Sequence, residues 1–275
     1  MDEALLQAKY GTLIRILEDC ESVCIGYSGG VDSVFLAKAA LLSLGAERVL
    51  AVIGRSPSYP AAQFRAAVEY AELLGLPWVE VSTHEMESSG YVTNSPSRCY
   101  FCKDELWSRL AAVATRHGLH TVVDGANADD AHDHRPGARA AREHGVRSPL
   151  QEAGLAKDEI RELSRRAGLP TWDQPASPCL ASRLAYGLAV TPERLAQVEA
   201  AEMLLRRRGV REVRVRHHGD VARIEVAPGE LDAAAPTIVA LVPRLRALGF
   251  DRVLLDVEGY RRGALNEALV QLTAS

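Results

Sequence analysis

The chain has 275 residues, of which 47% are apolar and 25% are charged, and its formal net charge is −4. This composition is ordinary for a soluble globular protein, and the negative charge argues against a general nucleic-acid-binding protein. No apolar run reaches membrane-spanning length, and the amphipathic N-terminal segment, which begins with acidic residues, is unlike a signal peptide. Five cysteines suit a reducing compartment, so the sequence predicts a cytoplasmic protein with no membrane or nucleic-acid partner.

Strand and helix patterns alternate through the first part of the chain. The predicted strands cover residues 22–26, 48–53, 78–81 and 120–123. After an opening helix, the predicted helices cover residues 34–42, 61–74, 99–117 and 157–167. The alternation predicts an α/β fold with a parallel sheet and helices on both faces. Ligands of such sheets bind beyond the carboxyl ends of the strands, so the loops that follow strands are the informative ones.

The segment 169–183 contains three prolines and has no helical or strand period, which indicates an ordered loop or a linker. A domain boundary is therefore predicted near residue 180, giving domains 1–180 and 181–275. Beyond the boundary, helices are predicted at 192–208 and 236–248, and strands at 212–216, 221–226 and 252–257. These elements predict a second, smaller α/β domain.

A glycine-rich turn, S-G-G-V-D-S at residues 28–33, joins the first predicted strand to a helix. Its two glycines let the backbone approach an anion, which would meet the unpaired N–H groups and positive dipole end of the helix. The lysine of a Walker A loop is missing, so the turn is not a γ-phosphate cradle of the usual kind. The alternative is a helix start capped by Asp32 and Ser33 for stability alone.

This turn resembles the S-G-G-x-D-S motif of the PP-loop ATP pyrophosphatases. The resemblance implies cleavage of ATP between the α- and β-phosphates and adenylation of a substrate oxygen. It also implies a set of pyrophosphate contacts, with the aspartate placed to reach Mg²⁺ as well. The set is Ser28, Gly29, Gly30, Asp32 and Ser33.

The loop after the fourth predicted strand, residues 124–137, contains four aspartates. Carboxylate oxygens are the ligands Mg²⁺ prefers, which makes Asp129 and Asp130 candidates to bind it together with Asp32. Asn127 and Arg135 can hydrogen-bond a nucleotide or substrate. The alternative is a solvated loop with Asx turns.

Two cysteines, Cys99 and Cys102, stand three residues apart at a predicted helix start, so both thiols can face one point. Cys179 lies in the proline-rich loop expected to close over the same strand ends. Three thiolates could ligate three irons of a [4Fe–4S] cluster and leave the fourth iron open. Two alternatives remain: a redox or idle thiol pair, or a zinc site with a fourth ligand from His84, His132 or His134.

The other two cysteines, Cys20 and Cys24, straddle a helix end and an apolar strand. They are therefore predicted to be core residues.

Four motifs resemble those of the LarE-type sulfur transferases, which make the nickel-pincer nucleotide cofactor. They are R-C-Y-F-C-K at 98–103, D-G-A-N-A-D-D at 124–130, W-D-Q-P-A-S-P-C-L-A-S-R at 172–183 and G-Y-R at 259–261. The resemblance runs from the first helix to the last strand. It implies that ATP adenylates a carboxylate of pyridinium-3,5-biscarboxylic acid mononucleotide, and that sulfur then displaces AMP to leave a thiocarboxylate.

The same resemblance implies catalytic roles for Cys99, Cys102 and Cys179, a sulfur-donor protein or sulfide as partner, and a homo-oligomer. Family members with a single cysteine, matching Cys179, surrender the sulfur of that residue. The presence of Cys99 and Cys102 favours delivery through a cluster instead.

Arg214 and Arg216 alternate with valines on a predicted strand, so their side chains share one face. Adjacent guanidinium groups repel unless Glu225 or a phosphate lies between them. The family resemblance favours the phosphate of the mononucleotide, held also by Ser182, Arg183 and Arg261. The alternative is a solvated hairpin face.

Other functions remain open from the sequence. One is another PP-loop ligase. An amidotransferase resembling NAD synthetase would leave three cysteines without a role, and a tRNA thiolase is disfavoured by the negative net charge. A nucleotide-binding redox sensor belongs to a different class.

Overall fold

The computed structural model describes residues 2–132, 136–175 and 177–261. The chain forms two compact units. The first comprises Met1–Ser88 and Ser97–Ser177, and the second comprises Ser89–Pro96 and Pro178–Ser275. The second unit therefore takes a short piece of chain from inside the first.

Helices and strands alternate as the sequence indicates. The α-helices are α1 (Glu3–Asp19), α2 (Val31–Leu44), α3 (Ala61–Leu74), α4 (Ser89–Val92), α5 (Arg98–His117), α6 (Pro136–Glu143), α7 (Pro149–Glu152), α8 (Lys157–Arg166), α9 (Pro192–Arg206) and α10 (Leu231–Ala247). The strands are β1 (Val23–Gly26), β2 (Val49–Arg55), β3 (Trp78–Ser82), β4 (Thr121–Val123), β5 (Val213–His218), β6 (Val221–Val226) and β7 (Arg252–Leu255). Among the described residues, no helix is both long enough and apolar enough to cross a membrane.

The sheet of the first unit is parallel, with strand order β3-β2-β1-β4. Both faces are buried, because Ile25 of β1 faces a core that includes α1, α2 and α8, whereas Cys24 faces a second core with Trp107 of α5. Burial on both faces accounts for the continuous apolar runs of these strands. The predicted α/β class with helices on both faces is confirmed.

The position of β1 determines where a ligand can bind in the first unit. The chain moves outward from β1 to β2 and β3, and then returns to place β4 on the other side of β1. Connections that leave neighbouring strands in opposite directions open a crevice at their carboxyl ends. The glycine-rich turn after β1 and the aspartate-rich loop after β4 meet at this crevice.

The second unit pairs β5 with β6 antiparallel and β6 with β7 parallel. Val215 and Ile224 pack with Leu241 of α10 in its core. Arg214 lies opposite Glu225, and Arg216 lies opposite Arg223, on the other face of the hairpin.

Residues 89–96 of this unit are held by Asn94, whose side chain is fully buried. Its amide Nδ2 donates to the carbonyl oxygens of Ala185 and Leu188, each at 2.8 Å.

Several predicted boundaries are wrong; for example, α2 begins at Val31 rather than at residue 34, and β7 ends at Leu255 rather than at residue 257. Helix α10 begins at Leu231 rather than at residue 236, and Pro236 and Pro243 lie inside it. Proline prefers the first helical turn, but the alanines before Pro236 are strong helix formers and extend the helix toward the N-terminus. Helix α6 was not predicted, and it begins at Pro136, inside the segment 124–137 predicted as a loop.

Candidate active site

The glycine-rich turn leaves the start of α2 without a side-chain cap. The N-cap is Gly30, so neither Asp32 nor Ser33 caps the helix. The Ser33 hydroxyl turns back instead, donating to the Gly30 carbonyl at 3.1 Å and accepting from the Ser28 amide at 3.2 Å. The N–H groups of the first turn of a helix have no intrahelical partner and attract anions. This arrangement suits phosphate binding better than a cap made for stability.

Gly29 is required by the geometry of the turn. Its φ is +66°, and a Cβ at this position would lie 2.6 Å from the Cβ of Ala67 in α3. The turn is also fixed from the α3 side, since the Tyr59 hydroxyl and the Gln63 amide donate to the Ser28 carbonyl at 2.8 and 3.2 Å. Burial raises the pKa of Tyr59, so this hydroxyl remains a donor.

Asp32 connects three elements at the crevice. Its carboxylate accepts from Lys157 Nζ at 2.5 Å and lies 3.4 Å from the side-chain amide of Asn127. Lys157 is the first residue of α8, and its main-chain amide donates to Asp129 at 2.9 Å. The sequence reasoning missed this lysine. A single lysine at the start of a helix shortly after the aspartate-rich loop is the signal that could have revealed it.

The aspartate-rich loop is held by its own side chains. Asp130 accepts from the Asn127 amide at 3.1 Å, and Asn127 accepts from the Asp129 amide at 3.0 Å. Gly125 brings this loop against α2, since a Cβ there would lie 3.1 Å from the Ser33 amide nitrogen. The structure thus brings Asp32, Asn127 and Asp129 together.

Arg135 and His134 lie outside the described residues, as does the side chain of His132. In the part of the chain that the structure describes, no three His, Cys, Asp or Glu side chains form a group that could hold a metal ion.

The five cysteines fall into two classes. Cys20 and Cys24 are buried, and burial raises the pKa of both, that of Cys24 to about 12, which confirms them as core residues. Near the start of α5, Cys99 is exposed and Cys102 is half-buried, and neither forms a disulfide. Cys179 is a half-buried free thiol in the second unit.

The predicted phosphate ligands of the second unit include several arginines that already pair with glutamate side chains. Arg183 is 1% exposed and pairs with Glu202 at 2.9 Å, and Arg216 pairs with Glu225 at 2.8 Å. The sequence reasoning missed Glu202. A second group comprises Arg214, whose guanidinium lies 5.3 Å from the Tyr260 ring centre, and exposed Arg261, which pairs with Glu258 at 2.6 Å.

Arg214 belongs to the same charge cluster as Arg183. Burial lowers the pKa of Arg214, and the Arg183 charge lowers it further, whereas Glu202 opposes this. The cluster of cations would therefore gain from a bound anion.

A parallel sheet whose central strand ends in S-G-G-x-D-S at an uncapped helix start defines a PP-loop enzyme that uses ATP. The family model described as NAD synthase matches residues 14–116. The pyridinium-3,5-bisthiocarboxylic acid mononucleotide synthase of Lactiplantibacillus plantarum is 38% identical over 98% of this chain and 97% of its own. The chain belongs to this LarE-type family of ATP-dependent sulfur transferases, as its motifs indicate.

Two further relatives have no assigned function. An uncharacterised protein of Synechocystis is 41% identical over 97% of this chain and 100% of its own length. Another from Methanocaldococcus jannaschii is 27% identical over 88% of this chain and 91% of its own.

Proposed function

We propose that this chain inserts sulfur into pyridinium-3,5-biscarboxylic acid mononucleotide at the expense of ATP. The observation that carries the proposal is the near full-length relationship to the synthase of Lactiplantibacillus plantarum. The match to the NAD synthase family model favours a second candidate, an amide-forming ligase. That match ends at residue 116, before Cys179, so it supports the shared use of ATP more than a shared nucleophile.

The first step belongs to the first unit. A carboxylate oxygen of the substrate attacks the α-phosphorus of ATP, the bond between the α-phosphorus and the bridging oxygen breaks, and pyrophosphate leaves. The amides at the start of α2 and the Lys157 ammonium stabilise the departing charge. Asp32, with Asp129 and Asp130, would hold Mg²⁺ only together with phosphate oxygens of ATP, because these carboxylates form no metal site by themselves; when bound, the ion neutralises phosphate charge. Asn127 supports Asp32 and, with Arg135, is proposed to bind the nucleotide.

The second step transfers sulfur to the adenylated carboxylate, and AMP leaves. In one route the Cys179 thiolate attacks the carbonyl carbon. Loss of the Cα proton and cleavage of the Cβ–Sγ bond then leave a thiocarboxylate on the substrate and dehydroalanine in the protein.

In the other route, which we favour, Cys99, Cys102 and Cys179 would hold a [4Fe–4S] cluster. Cys99 is exposed, Cys102 and Cys179 are partly buried, and all three are free thiols outside disulfides, as iron ligands must be. When bound, the cluster would supply an iron site able to carry an extra sulfide.

The phosphate of the substrate is proposed to bind in the second unit. Arg183 and Arg216 each direct part of the guanidinium to a buried carboxylate, and Arg214 and Arg261 complete the proposed set of arginines. Ser182 completes the set as a hydroxyl donor.

Mass spectrometry tests the function directly. Anaerobically purified protein is incubated with ATP, Mg²⁺ and the dicarboxylate mononucleotide, and the molecular masses of product and protein are then measured. We expect AMP and pyrophosphate that depend on the dicarboxylate, together with a thiolated product. Intact Cys179 indicates the cluster route, and loss of H₂S from Cys179 indicates sacrifice. ATP binding with no AMP formation would contradict the proposal and favour a redox sensor.

Replacement of Lys157 by alanine tests the first step. Because the change removes a cation from the start of α8 beside Asp32, we expect pyrophosphate formation to fall about 100-fold. Lys9→Ala is the matched control, because Lys9 pairs with Glu159 of the same helix at 2.8 Å and lies outside the crevice. Equal rates in the two variants would remove Lys157 from the site.

A further inference from the structure

The loop that carries Cys179 is fixed through its backbone carbonyl groups. The Cys179 carbonyl accepts from the Ser182 hydroxyl at 2.7 Å and from Arg183 Nη1 at 3.0 Å. The same Nη1 also donates to the carbonyl of Pro178. One edge of the Arg183 guanidinium therefore binds the two carbonyl groups that precede and follow the Cys179 Cα.

The opposite edge of Arg183 is held by a buried carboxylate. Nε and Nη2 donate to the two oxygens of Glu202 at 2.9 and 3.2 Å, and both side chains are 1% exposed. Glu202 is fixed in turn by the Val215 amide at 3.2 Å and by Arg206 at 2.6 Å. Burial alone would raise the pKa of Glu202, but the Arg183 and Arg206 charges outweigh it and hold this pKa below its usual value.

A second pair repeats this arrangement at the other end of the loop. Arg216 donates to Glu225 at 2.8 Å and, through Nη1, to the Ser182 carbonyl at 3.0 Å. Glu225 is 1% exposed and also accepts from Arg223 at 2.8 Å. Each arginine thus joins a buried carboxylate to a carbonyl of the same loop.

We propose that these two arginine–glutamate pairs position the Cys179 thiol for sulfur transfer, with Glu202 as the principal positioning residue. The inference rests on the proposed role of Cys179 in that transfer. A guanidinium group has five N–H donors in a rigid plane, so it can bind a carboxylate on one edge and carbonyls on the other. Loss of the buried carboxylate leaves an uncompensated charge, and the guanidinium must move toward water. The loop carbonyls then lose their donor.

Glu202→Gln tests the inference because it keeps the shape of the side chain and removes its charge. The first readout is the rate of Cys179 alkylation by iodoacetamide, followed by peptide mass spectrometry, with Cys99 as the internal reference. We expect Cys179 to react several-fold faster than in the unchanged protein, and Cys99 at its original rate. The second readout is thiolated product, which we expect to fall about 100-fold while pyrophosphate formation persists.

Two further variants separate positioning from general stability. Arg183→Lys keeps the charge but cannot reach both the carboxylate and the carbonyls, so it should raise the alkylation rate of Cys179 as Glu202→Gln does. Arg206→Gln is the matched control, because it removes a partly exposed partner of Glu202 and leaves the loop contacts intact. Should Glu202→Gln fail to fold, Ser182→Ala removes one donor from the Cys179 carbonyl and should raise the alkylation rate in the same direction.

The inference is overturned if Cys179 is alkylated at the unchanged rate in folded Glu202→Gln and Arg183→Lys. If Glu202→Gln does not fold, an unchanged rate in folded Ser182→Ala overturns it instead. The alkylation assay needs no substrate. Failure of the proposed function therefore shows as absence of thiolated product from the unchanged protein, whatever the alkylation rates are.

Discussion

Alanine at position 29 is expected to destabilise the first unit and abolish adenylation. The added Cβ would lie 2.6 Å from the Ala67 Cβ and 2.7 Å from the Ala67 Cα, so α3 or the turn must move. The positive φ of Gly29 adds strain, and together the two effects should lower the free energy of unfolding by about 3 kcal/mol. Urea unfolding measures the stability, and AMP formation measures the activity.

The neighbouring glycine provides the control. Gly30 has a φ of −81°, and the nearest atom to a Cβ there is Ser28 Oγ at 3.4 Å. Gly30→Ala should therefore lose much less stability than Gly29→Ala, since alanine adopts this conformation without strain and is only a poorer N-cap than glycine. Equal stability of the two variants would contradict the argument that the turn requires glycine at position 29 for steric reasons.

Cys179→Ser should yield no thiolated product while pyrophosphate is still released. A hydroxyl has no sulfur to transfer and is a poor iron ligand, so both routes fail at the second step. The groups that perform adenylation lie in the first unit and are unchanged. Mass spectrometry of the product, together with a pyrophosphate assay under single-turnover conditions, measures the two steps separately.

Cys102→Ser distinguishes the routes. If Cys179 surrenders its own sulfur, this variant should still form the thiolated product. If the sulfur comes through a cluster, product and iron content should both fall. Thiolated product from Cys179→Ser itself would exclude both routes.

The order of strands and helices could be predicted because it depends on local patterns. Buried parallel strands leave apolar runs, and helices such as α3 end at a glycine, so the element boundaries were largely readable. The start of α10 could not be read, since two local preferences competed there.

The ion pairs of the site depend on contacts between residues distant in sequence. Lys157 meets Asp32 across 125 positions, and Arg183 meets Glu202 across 19. Nothing in the local sequence around Glu202 distinguishes it from a surface glutamate of a helix. The alternation of Arg214 and Arg216 did indicate a shared face, with either Glu225 or a phosphate as its partner. Packing then determined that Glu225 pairs with Arg216.

The insertion of Ser89–Pro96 into the second unit affects how the gene can be divided. A fragment that begins at Pro178 lacks Asn94, so the carbonyls of Ala185 and Leu188 lose their donor in a buried position. Buried carbonyls without partners are costly. The C-terminal unit is therefore unsuited to expression as a separate module or to exchange between relatives. During synthesis, Ser89–Pro96 leaves the ribosome first and must wait for residues that follow roughly eighty positions later before its unit can fold.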